Sequence, residues 1–344
     1  MTDVALACEL SQSPATDHEV FRRHLLGPCT AGEREGHAIS ADSLFLALQD
    51  GKRIDLQGVV IVGDLLLDQL PLHPIGSASL SSDVVQRVAA ARQIQHARVI
   101  RRSVSIHDAI IQGTWATNLR QGLLVVLGGF SLTQSRFERS VDFSHTVFLD
   151  GLNVAHSTIL YEGFFVRAHV AGPASFHKVI FGTHSRFHKA EFMQEADFSE
   201  SRFTGLAEFL EVLFEQGANF TRTQFQMGTG FSGTRFRGPG IFIESEFHRE
   251  AFFRFSVFEH DANFQDGVFQ GVSDFTDSSF AGRPNFEAVE FLNAPEFSGT
   301  PLEGQWHRRG TQKHVSDNIA IILVFLGFLC VFAWGVKKWK YLSS

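Results

Sequence analysis

Cysteine is scarce in this 344-residue chain: Cys8, Cys29 and Cys330 form an odd, scattered set without ligand-like spacing. They imply neither a disulfide framework nor a zinc site, and they fit a reducing compartment. A glycine-rich phosphate loop ahead of a helix is also missing; Gly238-Pro-Gly240 falls where the chain already has to turn. No nucleophile stands beside a base in a recognisable motif. His177, His184 and His188 are close in sequence, yet they occupy positions that a repeat shows to solvent, so no catalytic residue, metal site or cofactor is expected. The start, Met1 to Leu10, has no basic lead-in and no long apolar run, and so lacks the pattern of an export signal.

Phenylalanine is abundant instead, with 36 residues. From Phe176 to Phe297 it recurs at alternating steps of five and six: Phe176, Phe181, Phe187, Phe192, Phe198, Phe203 and onward without a gap. On a helix, at about 100° per residue, successive rings would fall on nearly opposite sides. In one continuous strand the odd steps would flip the ring to the other face. What remains is a chain that runs extended for a few residues, turns a corner and returns a ring to the same interior, which is a solenoid.

The full repeat is eleven residues, as in Ala196-Asp-Phe-Ser-Glu-Ser-Arg-Phe-Thr-Gly-Leu206 and Ala207-Glu-Phe-Leu-Glu-Val-Leu-Phe-Glu-Gln-Gly217. A small residue sits two before most rings, for example Ala190, Ser201, Ala218 and Ser245, and shares the inward face. One repeat is too short a circumference to enclose several side chains. Two repeats with four sides suffice, and they place Phe176, Phe198, Phe220, Phe242, Phe264 and Phe286 in one stacked column, with three sister columns beside it.

The tract Ala196-Asp-Phe-Ser-Glu-Ser-Arg-Phe resembles the Phe-rich variety of the pentapeptide-repeat proteins, although the five/six alternation departs from a strict five-residue step. The resemblance implies an all-β solenoid, a right-handed quadrilateral β-helix. It is strong over Phe137 to Phe297 and weaker upstream, where Ile54 to Leu67 and Val104 to Gly113 read as irregular early coils. The expected organisation is a polar segment with a capping helix (1–52), early coils with a possible helical insertion (53–131), regular coils (132–300), a linker (301–317), a transmembrane helix (318–337) and a tail (338–344). Residues 1–39 read as irregular, Ser40 to Gly51 as a short helix capping the first coil, and 81–97 as the inserted helix.

Ile319 to Val336 is uncharged throughout and spans about 27 Å as a helix, close to the thickness of a bilayer core. Ile319 opens it, Trp334 lies at one interface, and Lys337 and Lys338 follow at once. A single-pass membrane anchor with the solenoid in the cytoplasm is expected; the competing reading is an apolar helix that caps the last coil or makes a dimer contact. From Glu191 to Thr300 there are eighteen acids and seven bases, so the acidity is concentrated in the regular coils. That density, about one net negative charge per 2 Å of axis, approaches the one per about 1.7 Å of duplex DNA. The expectation is a non-enzymatic, membrane-anchored binding or scaffolding surface for a protein partner that the sequence does not name, without direct nucleic-acid binding and with oligomerisation open. Two alternatives stand beside it: a DNA mimic acting on a type II topoisomerase, as the resemblance allows, and a sensory or assembly domain of a membrane complex.

Overall fold

The computed structural model describes residues 8–14, 16–77, 80–117 and 122–304. The expected membrane helix, with Ile319, Trp334, Lys337 and Lys338, lies outside them. Among the described residues no helix is long and apolar enough to cross a membrane.

The chain winds into a four-sided β-solenoid. Four sheets form faces A to D, running respectively from Arg53–Gln57 to Ala262–Asn263, Ile39–Ser40 to Glu290–Phe291, Leu65–Leu66 to Ser273–Asp274, and His73–Pro74 to Ser279–Phe280. Ala196 pairs in parallel with Ala218, and Ala218 with Gly240, so one regular coil takes 22 residues, or two eleven-residue repeats. Coil is tied to coil by backbone bonds: the Phe198 N–H donates to the Asn219 carbonyl at 2.7 Å and the Arg202 N–H to the Val179 carbonyl at 2.9 Å.

Inside, the rings stack along each face. Phe198 lies 4.6 Å from Phe176 and 4.9 Å from Phe220, and the column continues through Phe242, Phe264 and Phe286 at 4.9 Å steps. The face C column (Phe187, Phe209, Phe231) meets the face A column edge-on: Phe198 is 5.4 Å from both Phe187 and Phe209, at 88° to each. Parallel offset stacking along a column and edge-to-face contact across it are the two geometries that the aromatic quadrupole favours. The small inward residues satisfy backbone as well as space. Thr223 Oγ1 and Ser245 Oγ donate to the carbonyls of Phe198 and Phe220 in the coil before, both at 2.8 Å, so these buried hydroxyls are paired.

Corners follow from local chemistry. After each face A or face C ring the chain makes a tight turn, as where the Ser201 N–H returns to the Phe198 carbonyl and Glu200 adopts φ 56°. The Asp or Asn that so often precedes the ring holds this bend, since Asp197 Oδ1 accepts the Ser199 N–H at 2.9 Å and Asn219 Oδ1 the Thr221 N–H at 3.0 Å. At the opposite type of corner a close approach matters: a Cβ on Gly205 would lie 1.9 Å from the Thr183 carbonyl oxygen.

The early coils are wider. Ile54 pairs with Val104 and Val104 with Phe130, so successive turns take 50 and 26 residues before Phe130 to Leu152 settles at 22. The helix expected over 81–97 is α3, Asp83–Ala91; His96–Ile100 is already a strand of face D. Val85, Val88 and Ala89 of α3 pack with Val99, Leu123, Val125 and Val147 on the outside of that face.

The N-terminal segment differs from expectation. Residues 9–36 are not irregular but form β1 (Glu9–Gln12), β2 (Val20–Leu26) and α1 (Ala31–Gly36), the last opened by a Thr30–Glu33 capping box. β2 pairs in parallel with Arg53–Gln57 and extends face A. Helix α2 (Ala41–Gln49) starts at Ser40, whose side chain accepts the Ser43 N–H, and buries Ala41, Leu44, Ala47 and Leu48 in the solenoid core. Cys8 and Cys29 form a disulfide across 21 residues, against the expectation of unpaired thiols. Spacing alone did not disclose it because β1 and β2 fold back on each other and bring the two ends of this segment together.

Phe242→Ala should lower the stability of the regular coils by about 3–5 kcal/mol, while Arg235→Ala, whose exposed ion pair with Glu259 is worth little, should change it by less than about 1 kcal/mol; denaturant unfolding followed by circular dichroism compares the two. Opening the Cys8–Cys29 link should loosen the first coil by about 3 kcal/mol, read as faster hydrogen exchange in β1 and β2 and unchanged exchange beyond Phe176.

Candidate interaction surface

With the interior filled by rings, chemistry is confined to the outer faces and corners. Along the lower coils the charges pair from one coil to the next. Glu200 receives Lys178 at 3.2 Å and Arg222 at 3.8 Å, Glu215 receives Arg237 at 3.0 Å, and Glu211 receives Lys189 at 3.4 Å. Such ladders arise because a 22-residue coil places every outward residue above its counterpart, about 4.8 Å away.

The upper coils break that pattern. From Glu244 to Glu296 there are eleven acids and three bases, and among the described residues Glu244, Glu250, Asp261, Asp266, Asp277, Glu287 and Glu290 have no ion-pair partner. The negative surface is therefore graded: neutralised near the middle of the solenoid and bare toward its C-terminal end.

His177, His184 and His188 sit at outward positions, each half-buried. His177 Nδ1 is 2.8 Å from Ser199 Oγ; His184 Nε2 is 2.7 Å and His188 Nε2 3.3 Å from Glu208 Oε2. Two imidazoles on one carboxylate have the look of a metal half-site, but Arg186 Nε stands 3.0 Å from the same oxygen and 3.2 Å from His184 Nε2, filling the place of a cation. Among the described residues no group of three or more His, Cys, Asp or Glu is placed to hold a metal ion. Burial works to raise the Glu208 carboxyl, yet the hydrogen bonds from His184 and Arg186 bring it below its ordinary range.

A second cluster fixes α3 to the solenoid. Arg92, just past the helix, donates to the Arg167 carbonyl at 2.8 Å and reaches Glu191 at 3.7 Å, while His169 Nδ1 lies 2.6 Å from the other Glu191 oxygen. The hydrogen bond with His169 holds the Glu191 carboxyl low against the opposing effect of burial, and Arg92 adds to it. On face A a shallow trough of about 550 Å³ is lined by Ser105, Ser131, Asn153, Ser175, Asp197 and Asn219. Its amides and carboxylates include the groups that hold the corners, as Asn153, Asp197 and Asn219 do, and Asp150 and Glu195 are the other carboxylates of the lining.

A family model described as pentapeptide repeats matches residues 155–202, with nine copies. The chain carries pentapeptide repeats, and they are Phe-rich. No curated protein and no solved structure matches it. For this pentapeptide-repeat chain the Phe176 to Phe286 column is the interior support of the outer faces. What the sequence reading missed on the surface is the α3 clamp: Arg92 lies 75 residues from Arg167, and only the widened early coil brings them together.

Because the folded Glu191 carboxyl titrates below its unfolded value of about 4.3, its stabilisation is complete above that pH and is lost as the pH falls through the folded value. The thermal midpoint of α3 and face D should accordingly drop between about pH 5 and pH 3, and Glu191→Gln should flatten that decline, as read by circular dichroism melts.

Proposed function

We propose that this pentapeptide-repeat protein is a non-enzymatic, membrane-anchored binding or scaffolding module. The observation that carries the reading is the graded acidic surface: a ring-filled solenoid whose bare carboxylates gather toward its C-terminal end, which the apolar stretch Ile319 to Val336 follows in the sequence. A filled interior and open convex faces favour recognition of another macromolecule over chemistry that needs a desolvated pocket. Unpaired carboxylates on neighbouring coils favour a partner with basic groups.

We propose the cytoplasmic side for the solenoid, a placement that the Cys8–Cys29 disulfide puts to the test. The topoisomerase-mimic reading gains less support, because the Lys178, Lys189, Arg222 and Arg237 pairs interrupt the run of negative charge that a DNA surrogate requires.

The full chain should remain with membranes after alkaline carbonate extraction, and a chain shortened by residues 318–344 should be released; release of the full chain would overturn the anchor. Alkylation of intact cells before lysis should label Cys8 and Cys29 as free thiols if the solenoid is cytoplasmic; a pair protected from alkylation would place the solenoid on the oxidising side and overturn that placement.

A further inference from the structure

Face C contains a notch. In the coil of Phe231 its outward positions are Gly228, Gly230 and Ser232, and the corner residue is Gly233, so one coil presents almost no side chain. The register sets Gly230 between Glu208 in the coil before and Phe252 in the coil after. Leucines lean over the gap: a Cβ on Gly228 would meet Leu206 Cδ2 at 3.4 Å, and one on Gly230 would meet Leu210 Cδ2 at 3.1 Å. The result is a shallow apolar strip one coil high, over which the Leu210 and Glu211 side chains lean.

Phe255 closes its far end and is an oddity within the repeat. It is 60% exposed and adopts φ 56°, in a corner position that elsewhere on this edge carries Lys189, Glu211, Gly233 and Asp277. A bulky residue in the left-handed region is disfavoured, and an exposed ring adds nothing to the core, so the fold gains neither way from this phenylalanine. Leu206, 46% exposed, and the half-buried Phe252 extend the apolar strip. On the rim, Arg254 lies over the Phe252 ring at 5.6 Å and is already paired with Asp274, while Glu250 and Asp277 have no ion-pair partner among the described residues.

An aromatic anchor beside a small-residue strip, with the unpaired carboxylates of Glu250 and Asp277 on a rim whose one arginine is already paired, has the composition of a protein-docking hot spot with net negative charge. We propose that this notch docks a partner-protein segment in which apolar side chains alternate with lysine or arginine. An apolar side chain enters over Gly230 and Gly233 between Leu210 and the Phe252–Phe255 pair, and basic neighbours meet Glu250 and Asp277. This docking, which rests on the binding-surface reading, gives that surface a face and a partner chemistry.

The test uses the purified full chain and two labelled synthetic peptides, one alternating lysine with leucine and one alternating glutamate with leucine, followed by fluorescence anisotropy. The wild-type chain should bind the lysine–leucine peptide and reject the other. Phe255→Asn, which suits the left-handed corner and should not lower the thermal midpoint, should weaken binding by about tenfold or more. Gly230→Leu, which fills the strip against a flexible leucine, should do the same, and Glu250→Lys with Asp277→Lys should invert the peptide preference. Undiminished binding by Phe255→Asn overturns the notch. If binding is lost instead on Glu246→Lys of face B, the notch falls while an acidic binding surface stands; if the wild-type chain binds neither peptide, the proposed partner chemistry falls. Saturable retention of a partner from solubilised membranes by both wild type and Phe255→Asn would keep the binding-surface reading and remove the notch.

Discussion

Strand pairing and ring stacking share one repeat distance in this solenoid. Parallel strands sit about 4.8 Å apart, and rings in the face A column are 4.6 to 4.9 Å apart. Neither interaction has to yield to the other, so each coil can copy the one below without accumulating misfit. Every other regularity depends on that coincidence: the 22-residue register, the hydroxyls of Thr223 and Ser245 reaching the previous coil, and the outward residues standing in files.

The same constraint explains the cost at the corners. To bring the next ring inward after so few residues the chain enters the left-handed region once per eleven residues, at His145, His156, Arg167, Lys178, Lys189, Glu200 and onward, and only rarely with glycine. Each such residue is disfavoured in isolation by about 1–2 kcal/mol. Stacking on both sides and the Asp or Asn cap offset it. The corners also give polar residues a reason to be where they are, and most of this surface is therefore occupied with holding its own shape. Residues that serve no such purpose, as at the bare coil of face C, stand out against it.

Much of the architecture was legible in the chain because one residue type marks every inward ring position from Phe176 to Phe297 and a small residue two before it shares the inward face. Upstream the signal fades for a physical reason. Trp115 pairs with Val141, so the large ring occupies the position normally given to a small residue, and buried Thr117 takes the ring position opposite Phe143. Interior volume is conserved while the pattern is inverted, which no periodicity count would find. The first coil adds α3 within a turn of 50 residues, and its cluster with Val99, Val125 and Val147 packs on the outside of a face, where a solenoid pattern leads one to expect polar groups. The surface was legible only as net charge; which acids are paired depends on coil-to-coil register, and the Cys8–Cys29 link depends on a hairpin that no motif announces.

The shared register of successive regular coils makes length an adjustable quantity. A block of 22 residues inserted between them would meet matching strands and rings above and below, and would move the acidic end about 4.8 Å farther from the α2 cap. The molecule is thus a graduated spacer, in which the separation between its two ends can be reset by gene duplication one notch at a time while the ends themselves stay unchanged.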